Sequence, residues 1–518
     1  MKSTTEIEHP RRTKRSPWVL LRDGRPPSSQ APSQRAVGPW KLFAAKDELP
    51  TGLIFEGTSW RFRTEPFSHA AAWYARQRDG SIDAVGSDPA TVARAIGRSA
   101  DPSALVDDLL LGFRPDGRSP YQDVLPCGSA HALEYHPGGI DTPDQAAVDD
   151  PLETLGRRVA ESMNAGACLE LTGGVDSRLL LALGLGSGGK PTKAFTIGGT
   201  HDPDVHVARE LARALDIKHR TLLVEPDQRS IGTDAIDFIA ESGFVCNAAA
   251  YGWLPTVFRE LDDFRTEQLS GVGGEVGEGF YYTGLDRLFE RLNSPRLWLR
   301  ARAVVDGGRW ASLFDRGVFA ERLRAVARDR TELQGSGPWR VRTDAFYLHA
   351  RIHGWALPVI RASAAWYRPV TPFLSPEYLA WSASLSPEQR HGRAGQKEVI
   401  HRLALQLADI PYAASLQPSP GGRLRRKLAK ARRLAGRVLP GPSEQPERWA
   451  STAASLMRTL DGADSVVDRL RTLDGVRVDR VAEVMRSDPR TSAHAIGALL
   501  TMAQAIDRLS DQDASDRA

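Results

Sequence analysis

The stretch LELTGGVDSRLLLAL, Leu169 to Leu183, runs from a short apolar segment through a double glycine into a Leu-rich segment. The apolar run predicts a strand and the Leu-rich run a helix, so Gly173-Gly174 falls at a strand-to-helix turn. Such a turn leaves backbone N–H groups unpaired at the helix start, where they and the helix dipole favour an anion. Glycine lets a phosphate approach the backbone, because no Cβ stands in the way. Thr172 and Ser177 add hydroxyl donors to the same place. Asp176 is out of place beside a phosphate unless it holds a divalent cation. The plain alternative is that Asp176 and Ser177 cap the helix, which accounts for neither the double glycine nor Thr172.

The segments that follow alternate. ACLELT, KAFTIGG and HRTLLVE read as strands, and SRLLLALGL and DVHVARELARALDI as helices. This order predicts an α/β domain with a parallel sheet between helices, preceded by the helix LETLGRRVAESMNAG. GLGSGG, Gly184 to Gly189, has the spacing of a dinucleotide loop, and Gly189-Lys190 approximates a phosphate-binding lysine motif. A helix precedes both and Pro191 introduces a strand, the reverse of what either motif needs, so a helix C-terminal turn is expected.

The 518 residues allow two or three domains, and no run reaches the roughly 18 apolar residues that span a bilayer. The basic N-terminus lacks an apolar core, so no secretory signal is expected. Cys127, Cys168 and Cys246 form no pair or metal-ligand grouping, which suits a reduced, cytoplasmic setting. A net charge of +4 is small for this length and gives no global nucleic-acid character. Residues 1–45, rich in Pro, Ser and Arg, are expected to be a flexible lead-in, and 46–145 a smaller α+β domain. Residues 146–518 are then the catalytic domain, helical after about 285.

LTGGVDSR resembles the pyrophosphatase loop, S/T-G-G-x-D-S, of the asparagine synthetase-like ATP-dependent ligases. AFTIGG resembles the strand whose backbone reads adenine in that family. HDPDVHVARELARALDIKHR resembles its acidic helix leading to a histidine. LSGVGGE, Leu269 to Glu275, resembles the second Gly-rich loop, and RPVTPFLSPEYLAWSASLSPEQRHGRAGQKEVIHRLA the late segment with a phosphate-reaching lysine.

The resemblance spans about residues 150 to 415. It implies cleavage of ATP to AMP and pyrophosphate, adenylation of a substrate carboxylate, and attack by an amine to give an amide. It implies that Asp176 and Glu275 hold Mg²⁺ and that Lys397 neutralises phosphate charge. Leu171, Thr172, Gly173, Gly174 and Ser177 would bind the pyrophosphate, together with Thr196 and Ile197 on the adenine strand and Ser270, Gly271 and Gly273 on the second loop. Taken alone, Lys397 reads as a solvated helix lysine and Glu275 as a turn acid.

The chain departs from the family at several points. Glutamine-hydrolysing synthetases begin, after Met removal, with a nucleophilic Cys, whereas Lys2 follows Met1 here. PYQDVLPCGSAHALEY, Pro120 to Tyr135, resembles the end of a glutaminase domain with Cys127 at a common proline position, so a degenerate domain without that activity is expected. Val272 replaces the Tyr or Glu of specialised members and cannot take a proton. Ser375 replaces the acid that commonly follows Pro-Phe-Leu. Glu278, Tyr281 and Tyr282 are candidates for the acceptor pocket, although packing is the commoner use of such residues.

The expected partners are a small-molecule or peptide carboxylate and an amine donor, with no nucleic acid. Lasso-peptide cyclases, which resemble these synthetases and close a macrolactam on a precursor peptide, are an alternative. The basic run 423–437 could meet such a peptide or a leader-binding partner, or could simply be a solvated helix. Thiolating tRNA-modifying enzymes share the loop but usually carry cysteines this chain lacks.

Overall fold

The structure is a computed structural model that describes residues 18–22, 34–37, 40–44, 53–56, 59–62, 72–76, 82–127, 133–135, 150–223, 231–264, 267–280, 310–332, 339–413 and 447–510. At its centre is a parallel sheet of β10 (Cys168–Glu170), β11 (Lys193–Gly198), β12 (Lys218–Leu223), β13 (Glu267–Leu269) and β14 (Arg368–Val370), in the order β12-β11-β10-β13-β14. The chain steps outward from β10 to β12, then crosses to the other side of β10 for β13 and β14. The reversal opens a crevice between the carboxyl ends of β10 and β13, which is where ligands bind in open parallel sheets. The loop Thr172–Gly174 leaves one of these ends and Ser270–Gly274 leaves the other.

The helices follow from local sequence. α3 (Pro151–Asn164) starts at Asp150, whose carboxylate accepts from the Glu153 N–H, and has Pro at its first position. α4 (Val175–Gly186) is apolar nearly all round and is buried from Ser177 to Gly184, packed against α3 and the helix Ala394–Leu403. α5 (Pro203–Ala214) is amphipathic, capped by Asp202, and turns Val205, Val207, Ala208 and Leu211 inward. The GLGSGG stretch is the end of α4, with Ser187 at its C-cap and Gly188 left-handed at φ +82°.

The N-terminal part differs from its expected form. Within residues 1–45, β1 (Trp18–Arg22), β2 (Gln34–Val37) and β3 (Trp40–Ala44) join β6 (Trp73–Arg76), β7 (Ile82–Gly86) and β8 (Val124–Pro126) in a six-stranded antiparallel sheet. These runs of four or five residues, set among prolines and serines, pair as antiparallel strands. β4 (Leu53–Glu56), β5 (Ser59–Phe62) and β9 (Leu133–Tyr135) form a second, three-stranded sheet.

α1 (Pro89–Ala95) and α2 (Pro102–Leu111) pack on the long C-terminal helix Pro489–Ser510, so Trp73, Leu105 and Val124 share one core with Ile496 and Leu500. The Tyr121 hydroxyl donates to the Ala505 carbonyl at 2.9 Å within this seam. Beyond residue 310 the described chain is helical except for β14, the three-residue edge strand. Pro369 sits in β14, where an edge strand can do without its N–H.

Candidate active site

Two hydroxyls knit the first loop. The Thr172 N–H donates to Ser177 Oγ at 3.0 Å, and the Gly174 N–H donates to Thr172 Oγ1 at 3.1 Å. Gly174 is the N-cap of α4, and no side chain caps that helix. The N–H groups of its first turn therefore stay open to an anion, and neither Asp176 nor Ser177 serves as the cap. Gly173 is fixed by packing: a Cβ there would lie 2.5 Å from Ala413 Cβ and 2.9 Å from Val207 Cβ. Its carbonyl accepts the Ala413 N–H at 3.0 Å. Leu171 is buried, and its N–H donates to the Phe195 carbonyl at 2.9 Å.

The second loop lies against the first. Ser270 Oγ donates to Glu170 Oε2 at 2.6 Å, tying the ends of β13 and β10. Gly271 packs on the start of α4, where a Cβ would come 3.1 Å from the Ser177 nitrogen. Gly273 has φ +95°, open only to glycine at low cost, and its N–H donates to Glu275 Oε2 at 3.2 Å. A Cβ on Gly274 would strike the Asp176 carboxylate. Close backbone approach thus brings Asp176 and Glu275 to one place.

Burial pushes the Glu275 carboxyl up to about 7, and the Asp176 charge adds to the shift. Burial also raises Asp176, against the pull of Arg393. Two half-buried carboxylates that repel each other are a set of hard oxygen donors suited to a divalent cation. Among the described residues no group of three or more His, Cys, Asp or Glu side chains could hold a metal.

The pH dependence follows from the sign of the Glu275 shift. A carboxyl that prefers its proton in the fold contributes stability below its unfolded value of 4.5 and loses it as pH rises through about 7. The melting temperature of the ligand-free protein should fall across that window, and Glu275→Gln should flatten the slope. An unchanged slope in the variant would place the titration on another group.

Three side chains at the site come from the late segment. Arg393 Nη1 donates to Asp176 Oδ2 at 2.7 Å, and its other arm pairs with Glu278. Gln396 is fully buried, and its Nε2 reaches the Gly274 carbonyl at 2.8 Å and Asp176 Oδ1 at 3.2 Å. Arg390 Nη1 donates to the Val276 carbonyl at 2.9 Å and holds the second loop from behind. No sequence signal marked these residues apart from other polar residues on a helical segment.

Other expected residues take more varied positions. Thr196 is buried; its hydroxyl donates to the Leu171 carbonyl at 2.6 Å and meets His219 Nε2 at 2.7 Å, so it braces the strands. Ile197 lies beside it on β11, half-buried. Lys397 is exposed: its ammonium donates to the Gly392 carbonyl at 2.9 Å and stands 5.6 Å from the Tyr412 ring. Val272 is half-buried against the core. Ser375 caps the helix Pro376–Ser384. Tyr281, Tyr282 and the basic run 423–437 lie outside the described residues.

Arg178, which closes the loop motif, is fully buried and turned away from the anion site. It donates to the carbonyls of Leu407 at 2.8 Å and Pro411 at 3.0 Å, reaches that of Ile410, and sits 4.0 Å over the Tyr412 ring. This clasp delivers Ala413 to Gly173.

A parallel sheet with a glycine loop and an uncapped helix at its switch point defines a PP-loop nucleotide-binding domain. Residues 152–407 match the asparagine synthase family model, so the chain carries a domain of the asparagine synthetase-like family of ATP-dependent amide ligases. ATP is the co-substrate of that family. No curated protein matches the chain. Among the described residues no helix is long and apolar enough to cross a membrane.

Proposed function

We propose that this chain is an AMP-forming amide ligase. The observation that carries the reading is the convergence of Asp176 and Glu275 on an uncapped helix N-terminus at the switch point of the sheet. The substrate carboxylate attacks the α-phosphorus of ATP, the bond to the bridging α–β oxygen breaks, and pyrophosphate leaves. The amine then adds to the acyl carbon, AMP departs with the C–O bonding pair, and the amine proton passes to solvent.

The chain holds and orients these groups. Gly173, Gly174 and the first-turn N–H groups cradle the pyrophosphate, with Thr172 and Ser177 fixing the loop's shape. Leu171, Thr196 and Ile197 form the wall on the adenine side, and Ser270, Gly271 and Gly273 the opposite one. Lys397, on the outer turn, adds a cation near the phosphates. When bound, Mg²⁺ held by Asp176 and Glu275 would neutralise charge on the leaving group.

Residues 46–145 are read as a glutaminase-like domain without glutaminase activity. Burial pushes the Cys127 thiol up, away from the thiolate a nucleophile needs. The amine therefore comes from outside this chain's own chemistry.

Phosphorus NMR of reactions containing ATP, MgCl₂, mixed amino-acid carboxylates and ammonium tests the reading. AMP and pyrophosphate are expected; ADP and phosphate would overturn it. Glutamate released from glutamine by the chain alone would overturn the account of residues 46–145.

A further inference from the structure

The charge around the first loop does not suit a polyanion as it stands. Asp176, Glu275 and Glu278 place three carboxylates there, and Arg393 is the cation acting on all three. Burial alone would lower the affinity of Arg393 for its proton, but Asp176, Glu278 and Glu275 more than reverse this, so the guanidinium stays charged. The carboxylates outnumber it, and pyrophosphate would add further negative charge in a site where repulsion is weakly screened.

The backbone shows that Arg393 is held in place against a local cost. Gly392 and Arg393 are consecutive left-handed residues, at φ +62° and +63°. For arginine that conformation costs about 1 kcal/mol or more. It persists because the surroundings fix it: the Lys397 ammonium bonds the Gly392 carbonyl, and helix Ala394–Leu403 begins directly after. The turn points the guanidinium back at Asp176, the second residue of α4 and a neighbour of the open N–H groups. The Arg393 side chain keeps 23% of its exposure, so it can still exchange partners.

We propose that Arg393 is the cation that meets the pyrophosphate of the nucleotide, passing from the Asp176 carboxylate to phosphate oxygens when the ligand binds. Its planar fork suits two phosphate oxygens as it suits a carboxylate. Lys397 then acts as a positioning residue as well, holding the turn that presents Arg393. This inference rests on the ATP reading of the loop and adds a phosphate ligand to it.

Calorimetric titration with inorganic pyrophosphate and with α,β-methylene-ATP, both in MgCl₂, provides the test. Arg393→Gln should weaken pyrophosphate binding about tenfold or more, the scale of one charge-assisted contact. Arg393→Lys should lose less, because it keeps the charge but not the fork. Arg402→Gln, an exposed arginine on the same helix, should bind as the wild type does. Melting curves establish that each variant is folded; if Arg393→Gln is not, the Arg393→Lys titration decides. Pyrophosphate binding by Arg393→Gln or Arg393→Lys at wild-type affinity would overturn the proposal. Wild-type protein that binds neither ligand would overturn the ATP reading beneath it.

Discussion

Asp176→Ala should lower pyrophosphate release by roughly 10³-fold or more while leaving the fold intact. The carboxylate lies on the second residue of α4, in contact distance of the second glycine loop, and is bonded by Arg393 and Gln396. In the proposed mechanism its removal takes away one of the two oxygen donors that would hold a divalent cation against the leaving group. It also lifts the Asp176 charge from Glu275, which should titrate closer to an ordinary carboxyl although burial still raises it. Stability should change little, because Asp176 is only half-buried and Arg393 keeps Glu278 as its partner once the Asp176 carboxylate is gone. A variant within tenfold of the wild-type rate would remove Asp176 from the metal role.

Arg178→Ala carries the second large expected effect, this time on stability. Its guanidinium supplies donors to the carbonyls of Leu407, Ile410 and Pro411 from a fully buried position. A buried acceptor left without a donor costs about 1–3 kcal/mol, so losing this clasp should cost about 3 kcal/mol or more. The segment that carries Ala413 should also loosen from Gly173, raising the ATP concentration needed for half-maximal rate. Arg178→Lys should recover only part of the loss, since one ammonium cannot span three carbonyls and a tyrosine face. Thermal melting checks the prediction, and an Arg178→Ala midpoint equal to that of the wild type would refute it.

Arg178 also shows where sequence reading stops. It stands within the motif that identifies the loop, yet its partners begin 229 residues further along the chain. Likewise Arg393 and Gln396 reach Asp176 across 217 and 220 residues. On a one-dimensional reading they are ordinary polar residues of a helical stretch. Lys397, in the same segment, is the lysine that the family resemblance implies for the phosphates. The left-handed turn at Gly392-Arg393 points Arg393 at Asp176, which no local pattern marks. The strands inside residues 1–45 were hidden because short antiparallel strands depend on partners that composition does not reveal.

The sequence by itself determined the alternation of strands and helices from Cys168 to Leu223, the glycine loop and the helix that follows it. These depend on local facts: apolar periodicity, glycine at points of close approach, and hydroxyls a few residues apart. Tertiary structure alone decided which charges face Asp176, that Gly174 leaves α4 uncapped, and that Arg178 clasps Leu407 to Tyr412. Ion pairs and buried donors are satisfied by whatever the packing of distant helices delivers, and that packing depends on the whole core at once.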